Sequence, residues 1–453
     1  MQKSSIAIPL LPFSQDSLDI WLKRQPKHVR AWVAAHGFAA KAGCHLALPA
    51  PGGGISHMLL GLSGLDSPWD WAGFPRSLPE GCYRIEAKLK PQEADAAALG
   101  WSLGSYDFQN YKKPTKPKAR LVWPVGACRE EVTALYEAIC LVRDLVTTPA
   151  SDMGPGELAL EARKLSRRQG AACKVTTGQA LLKAGYPAIH AVGRGSARAP
   201  RLIDISWGKS RHPLIAIVGK GVCFDSGGLD LKPSPAMKLM KKDMGGAAHA
   251  LALAHLIMSA KLPVRLRLLI PAVENMPGPD AMRPLDVLKT RAGITVEVGN
   301  TDAEGRLILA DGLAAAVEAK PDLLLDFATL TGAARSALGP DLPALFCNDD
   351  RLAQELLAAS VREADPLWRL PLWAGYDEML KSSVADLNSA PDSPFAGAIT
   401  AALFLKRFVP GDVAWAHLDL FAWNAKDRPG RPVGGEAMGL RAVFSFLKKR
   451  YKS

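Results

Sequence analysis

Several motifs that mark common catalytic sites are missing from this chain. Across 453 residues there is no H-E-x-x-H pair, no G-x-S-x-G elbow and no G-x-x-x-x-G-K-[ST] loop. These absences count against a single zinc on one helix face, a serine hydrolase and a P-loop NTPase. The nine histidines form no cluster, so any metal site must be dominated by carboxylates. Seven cysteines (44, 82, 128, 140, 173, 223 and 347) lie scattered with no C-x-x-C pair. Neither a zinc ribbon nor a redox dithiol is expected, and an odd cysteine count fits a reducing compartment. No apolar run approaches the ~20 residues that cross a bilayer, and the N-terminus shows no secretory pattern. The expectation is a cytoplasmic protein with no membrane partner.

The remaining composition, 48% hydrophobic and 22% charged, is that of an ordinary globular protein long enough for two domains and a large core. A formal charge of +12 raises the question of nucleic acid. The one dense basic cluster, Lys112, Lys113, Lys116, Lys118 and Arg120, is broken by two prolines and has only Tyr111 as a neighbouring aromatic. It reads as a solvated loop or linker, and nucleic acid is not an expected partner.

Hydrophobic periodicity divides the chain. Residues 1–123 read as an N-terminal α/β domain, 124–147 as a connecting helix (helical pattern from Glu130 to Val146), and 148–453 as the catalytic domain. Another helix is expected from Gly156 to Arg168. Beyond residue 180, apolar runs at 201–207, 214–218, 264–273, 295–298 and 323–327 alternate with helical stretches at 245–259 and 307–319. The predicted fold class is α/β, a mostly parallel central sheet flanked by helices, with a smaller N-terminal α/β domain.

Two acidic segments carry the chemistry. In Asn300-Thr-Asp-Ala-Glu-Gly-Arg306, carboxylates at Asp302 and Glu304 are followed by the Arg306 guanidinium. If the backbone is still extended here, residues two apart point the same way and the two carboxylates converge. Such charges repel unless a cation or shared proton compensates. The plain alternative is a solvated acidic turn. A second segment, residues 218–246, places Lys220, Asp225, Lys232 and Asp243 among glycines after an apolar run. Both segments are expected in loops at strand exits, where several oxygen ligands can gather around a pair of metal ions. Lys220, between Gly219 and Gly221, is expected to bend inward and, near a dication, to have its pKa lowered. Lys232 is expected to stay charged and to stabilise an oxyanion. Lys238, Lys241 and Lys242 are read as surface lysines.

These segments make the chain resemble the leucine aminopeptidase family, the cytosolic hexameric dimetal exopeptidases. Residues 300–307 reproduce the family's N-T-D-A-E-G-R-L signature, and 218–228 match V-G-K-G-x-x-F-D-S-G-G. Similarity continues through Gly246, Ala328 to Gly332, Ser382 to Asp386, and His417 to Asp419. The resemblance implies that Asp225 and Glu304 bridge two divalent ions, with Lys220 and Asp243 completing one site and Asp302 the other. The ions would be zinc or manganese, with magnesium possible at the exchangeable site. It further implies a water-derived hydroxide bridging the ions as nucleophile, a free peptide N-terminus held by a metal and Asp243, Lys232 polarising the carbonyl, and bicarbonate at Arg306. Peptides with a free N-terminus are the implied partners and a homohexamer the implied assembly. The plain alternative for Arg306 is a helix-start salt bridge.

The implied pocket for the first side chain is bordered by Met240, Thr329, Leu330, Gly332 and Phe421. Phe421 stands where the family commonly has a small residue and is expected to reshape that pocket. Cys223 replaces a usual threonine or serine, and Gly299 a usual bulkier apolar residue; the latter is expected to loosen the strand end. A carboxylate-bound dimetal hydrolase of phosphate esters and a DNA-binding role are the alternatives that remain open.

Overall fold

The computed structural model describes residues 7–113, 115 and 119–451. Lys116 and Lys118 of the basic cluster fall outside the described residues; Lys112 and Lys113 are exposed, and Arg120 lies in the short strand Ala119–Leu121.

The chain divides into two compact units, residues 1–137 with 425–433, and residues 138–424 with 434–453. The helix Arg129–Thr147 carries the chain from the first into the second. The first unit holds a five-stranded sheet ordered His45–Pro49, Ile55–Gly61, Ile8–Phe13, Gly81–Ile85, Ala119–Leu121. All its pairings are parallel except that between the first two strands. Leu10, Met58, Leu60, Trp71, Phe74 and Tyr83 pack its core.

The second unit is built on a sheet of nine strands. Its path runs Trp368–Arg369, Ala344–Cys347, Trp415–Asp419, Leu323–Ala328, Leu214–Gly219, Arg265–Asn275, Arg201–Trp207, Ala172–Thr177, and Gly221–Asp225 also pairs with Arg265–Asn275. The central pairings are parallel and the antiparallel ones lie toward the edges. Every residue of Leu214–Gly219 and Leu323–Ala328 is buried, as expected for strands covered on both faces. The helices Gly245–Ser259 and Glu304–Val317 are buried on nearly every side, which explains why both are apolar around the whole circumference. No helix among the described residues is long and apolar enough to cross a membrane.

Thr295–Glu297 belongs instead to a separate three-stranded sheet with Val287–Lys289 and Leu387–Asn388. The strands Ala172–Thr177, Gly221–Asp225, Ala344–Cys347 and Trp415–Asp419 were not expected from periodicity. Ala344–Cys347 and Trp415–Asp419 are short, fully buried runs that look the same in a helix or a strand.

Candidate active site

The two acidic segments meet at the carboxyl ends of the central strands, by a route that differs from the expected one. The backbone after Asn300 is not extended. Asn300 accepts the Asp302 amide through its side chain at 2.7 Å, Thr301–Ala303 forms a 3-10 turn, and Glu304 opens the helix Glu304–Val317. Local side-chain bonding by asparagine thus overrides strand continuation. Asp225 is the last residue of the strand Gly221–Asp225, and Asp243 sits in the 3-10 turn Met240–Met244; neither is a glycine-loop residue.

Lys220 lies in the break between the strands Leu214–Gly219 and Gly221–Asp225. Its flanking glycines supply space, not flexibility. A Cβ on Gly219 would stand 2.8 Å from Ala247 Cα, and one on Gly221 would stand 2.5 Å from the Pro271 carbonyl. The lysine side chain then runs over Gly305, where a Cβ would lie 2.5 Å from Lys220 Cε. The glycine of the signature is therefore the floor on which Lys220 rests.

Around this floor the charges interlock. Lys220 Nζ is 2.7 Å from Asp243 Oδ2 and 2.9 Å from Glu304 Oε1, and it donates to the Thr329 carbonyl at 3.0 Å. Lys232 Nζ is 2.9 Å from Asp225 Oδ2 and 2.5 Å from Asp302 Oδ1. Lys220, Asp225, Asp243 and Glu304 are each 3% exposed or less. Burial acts to lower the pKa of Lys220, but Asp243, Glu304 and Asp225 outweigh it and hold the ammonium above its ordinary range. The same balance, set by Asp225 and Asp302, holds Lys232 charged. Burial and the charge of Asp225 push Asp302 up to about 6 and Glu304 up to about 8.

The cluster is short of positive charge: Asp225, Asp243, Asp302 and Glu304 face Lys220 and Lys232 closely, and Lys242 reaches Asp243 only at 3.6 Å. Asp243 Oδ2, Asp302 Oδ1 and Glu304 Oε1 are buried without hydrogen-bond partners and meet only these ammonium groups. Asp225, Asp302 and Glu304 can bring oxygens within 4.8 Å of one another. Hard oxygen donors in this density suit divalent cations.

Asn275 and Asp230, not anticipated from the sequence, and Thr329, expected only in the pocket, hold the carboxylates in place. Asn275 Nδ2 donates to Asp225 Oδ1 at 2.9 Å and to the Thr301 carbonyl at 3.0 Å. The Thr329 hydroxyl donates to Asp243 Oδ1 at 2.8 Å. Asp230 caps the Thr301 amide at 2.7 Å. Asn275 ends a long apolar strand, and nothing in its local pattern marks it.

Arg306 is buried. Its Nη1 donates to the Ser389 carbonyl at 2.7 Å, and its Nε has no hydrogen-bond partner. Among the described residues it forms no helix-start salt bridge. Burial pulls its pKa down to about 10 against Glu304, Asp419 and Asp302, leaving a cation at neutral pH.

A cavity of about 450 Å³ opens beside the cluster. Met240, Thr329, Leu330, Gly332 and Phe421 all line it, together with Lys220, Asp225, Lys232, Asp243, Asp302 and Arg306; Glu304 is not among its lining residues. Lys242 also lines it, 5% exposed, which corrects its reading as a surface lysine. Lys241 is not free either: its Nζ donates to the Thr147 carbonyl at 2.5 Å. The Phe421 ring lies 5.3 Å from Lys242 Nζ and 4.8 Å from the Arg335 guanidinium. Gly299 is not a loosened strand end, since a Cβ there would lie 2.2 Å from Asn388 Oδ1. Cys223 is fully buried, and burial pushes its thiol well up, so it packs as a small apolar residue.

Comparison with known proteins agrees with this geometry. Residues 140–444 match the catalytic domain of the cytosol aminopeptidase family, and residues 8–124 match the M17 aminopeptidase N-terminal domain. A probable cytosol aminopeptidase of Roseiflexus castenholzii is 43% identical over 79% of this chain and 77% of its own. A crystal structure of the cytosol aminopeptidase from Coxiella burnetii superposes with a TM-score of 0.95 at 50% identity, covering 99% of this chain and 98% of that one. The bottromycin maturation enzyme BotP in complex with Mn superposes with a TM-score of 0.87 at 35% identity, covering 98% and 99%. By its sequence and its fold, the chain belongs to the cytosol aminopeptidase family, hydrolases of the exopeptidase type.

Proposed function

We propose that this protein is a dimetal aminopeptidase, its catalytic domain spanning residues 148–453, that releases N-terminal residues from peptides. The observation that carries this is the inward-facing set of buried carboxylate oxygens opposed only by Lys220 and Lys232. Asp225, Asp243, Asp302 and Glu304 would hold two divalent ions, with Lys220 as a nitrogen donor once their charge displaces the proton it carries in their absence. Manganese is supported by the Mn complex of BotP, and zinc and magnesium are compatible with the same donors. Ions bound there would supply Lewis acidity, polarising the scissile carbonyl and acidifying a water to give the hydroxide nucleophile.

The chain's own residues do the rest. Asp243 accepts from the substrate's free α-amino group, which confines cleavage to the first residue. Lys232, charged and partly open to the cavity, sits where it can stabilise a developing oxyanion. Arg306, with an unpaired Nε beside the cavity, would hold bicarbonate, whose role is to move the proton. The cytosolic names of the relatives support a cytoplasmic location, and family membership supports a hexamer.

The test compares an aminoacyl anilide, its N-acetylated form and a phosphate ester, each with manganese-loaded and chelator-treated protein. The expected result is hydrolysis of the free-amine substrate alone, lost on chelation and restored by Mn. Equal cleavage of the acetylated substrate, or turnover only of the ester, overturns the reading.

A further inference from the structure

The cavity beside the carboxylates carries two cations that the chemistry above does not use. Lys242 is buried, and its Nζ reaches only Asp243 Oδ1, at 3.6 Å, with no hydrogen bond among the described residues. That oxygen already accepts from the Thr329 hydroxyl, while Asp243 Oδ2 faces Lys220. Arg335, on the helix Gly332–Leu338, stacks its guanidinium over Phe421 and forms no carboxylate ion pair among the described residues. A buried ammonium without hydrogen bonds is costly, and a partner anion relieves that cost.

Beyond the long contact of Lys242 with Asp243, no acid lining the cavity is free to pair with either cation. Of the acids lining the cavity, Asp225 and Asp302 are held by Lys232, and Asp243 by Lys220 and Thr329. Asp419 accepts from the Leu330 and Thr331 amides and from the Thr331 hydroxyl. Phe421 lines the same wall, and its ring holds both cations at 5.3 and 4.8 Å. The wall is thus arranged for a carboxylate.

Resting on the reading that this cavity receives the substrate's first residue, we infer that the enzyme prefers an acidic N-terminal residue, its side-chain carboxylate held by Arg335 and Lys242 against Phe421. Arg335 and Lys242 are then specificity residues, and leucine is not the favoured side chain.

The test measures kcat/KM for glutamyl and glutaminyl anilides, a pair of near-equal shape and different charge, with leucyl anilide alongside. Wild-type protein should favour glutamyl over glutaminyl by about tenfold or more, as charge-assisted bonding predicts. Arg335→Met should bring that ratio close to one, and Arg335→Lys should keep most of it; the ratio cancels any loss common to both substrates. A second pair, Leu-Gly and Leu-Gly-amide, asks whether the anion is the peptide's own terminus. If Arg335→Met alters only that pair, the side-chain assignment is wrong. If wild type prefers leucyl and treats glutamyl and glutaminyl alike, the inference fails while the peptidase reading stands. If no aminoacyl anilide is cleaved by metal-loaded protein, the peptidase reading fails and this inference with it.

Discussion

Asp230 and Thr301 hold each other reciprocally, backbone to side chain: Thr301 N donates to Asp230 Oδ2 at 2.7 Å, and Asp230 N donates to Thr301 Oγ1 at 2.9 Å. The threonine hydroxyl also donates to the Gly227 carbonyl at 2.6 Å. This clasp ties the segment that ends in Asp225 to the one that carries Asp302 and Glu304, residues distant in sequence. Asp230→Ala should therefore raise the manganese concentration needed for half-maximal activity by about 10–100-fold, the usual effect of losing a group that orients metal ligands. Titration of activity with Mn, checked by calorimetry, measures it. An unchanged half-point would show that the clasp does not position the ligands.

Gly305→Ala separates the site from the fold. The new methyl would stand 2.5 Å from Lys220 Cε, so the buried lysine must shift against Asp243 and Glu304 while the helix keeps its backbone. Alanine near a helix start favours the helix by up to ~1 kcal/mol, which offsets part of the cost of loosening those buried ion pairs. Displacing Lys220 by about an ångström should lower kcat/KM about a hundredfold or more. Thermal melting and anilide kinetics on the same preparation decide it, and a variant that melts early would refute this separation.

Lys232→Met removes the ammonium that bridges Asp225 and Asp302. Loss of an oxyanion-stabilising donor should reduce kcat about 10²–10³-fold with a smaller change in KM. Metal analysis of the same variant should still find bound ions. Ion loss as complete as in Asp302→Ala would instead make Lys232 a structural counter-charge.

Stability should fall on mild acidification because two histidines of the helix Gly245–Ser259 are held neutral. His249 Nδ1 lies 2.7 Å from the Gly245 carbonyl, and its Nε2 accepts from Met438 N at 2.9 Å. His255 Nδ1 lies near Arg168, Gln169 and Ser259 at 3.1 to 3.3 Å. Burial lowers both to about 4, with Arg168 adding to the effect at His255. A folded pKa below the unfolded value means stability is present above about pH 6.5 and lost as pH falls toward 4. Each histidine should remove on the order of 2 kcal/mol between pH 7 and pH 5. Urea midpoints at those two values should show the loss, and His249→Gln should roughly halve it. An identical pH dependence in the variant would exclude His249 as a source.

Much of this was legible in the residues themselves. Period and burial place Leu214–Gly219 and Leu323–Ala328 in the centre of the sheet, because continuous aliphatic runs have few other homes. The acidic segments are legible because two of them, each following an apolar run, make a solvated acidic turn a poorer account than either would alone. What was not legible depends on contacts between distant segments. Asn275 supports Asp225 only because the strands Gly221–Asp225 and Arg265–Asn275 pair in register. Lys242 looks like one lysine of a surface pair until the turn at Met240–Met244 faces it into the cavity. The turn at Thr301 is not legible from periodicity because a side chain, Asn300, sets it.

The central claim is that Asp225, Asp243, Asp302 and Glu304, with Lys220, hold a pair of divalent ions. Anomalous diffraction from crystals grown with manganese tests it most directly. Two peaks among these five side chains are the predicted result. A fully loaded, active crystal with one peak or none among them would contradict it.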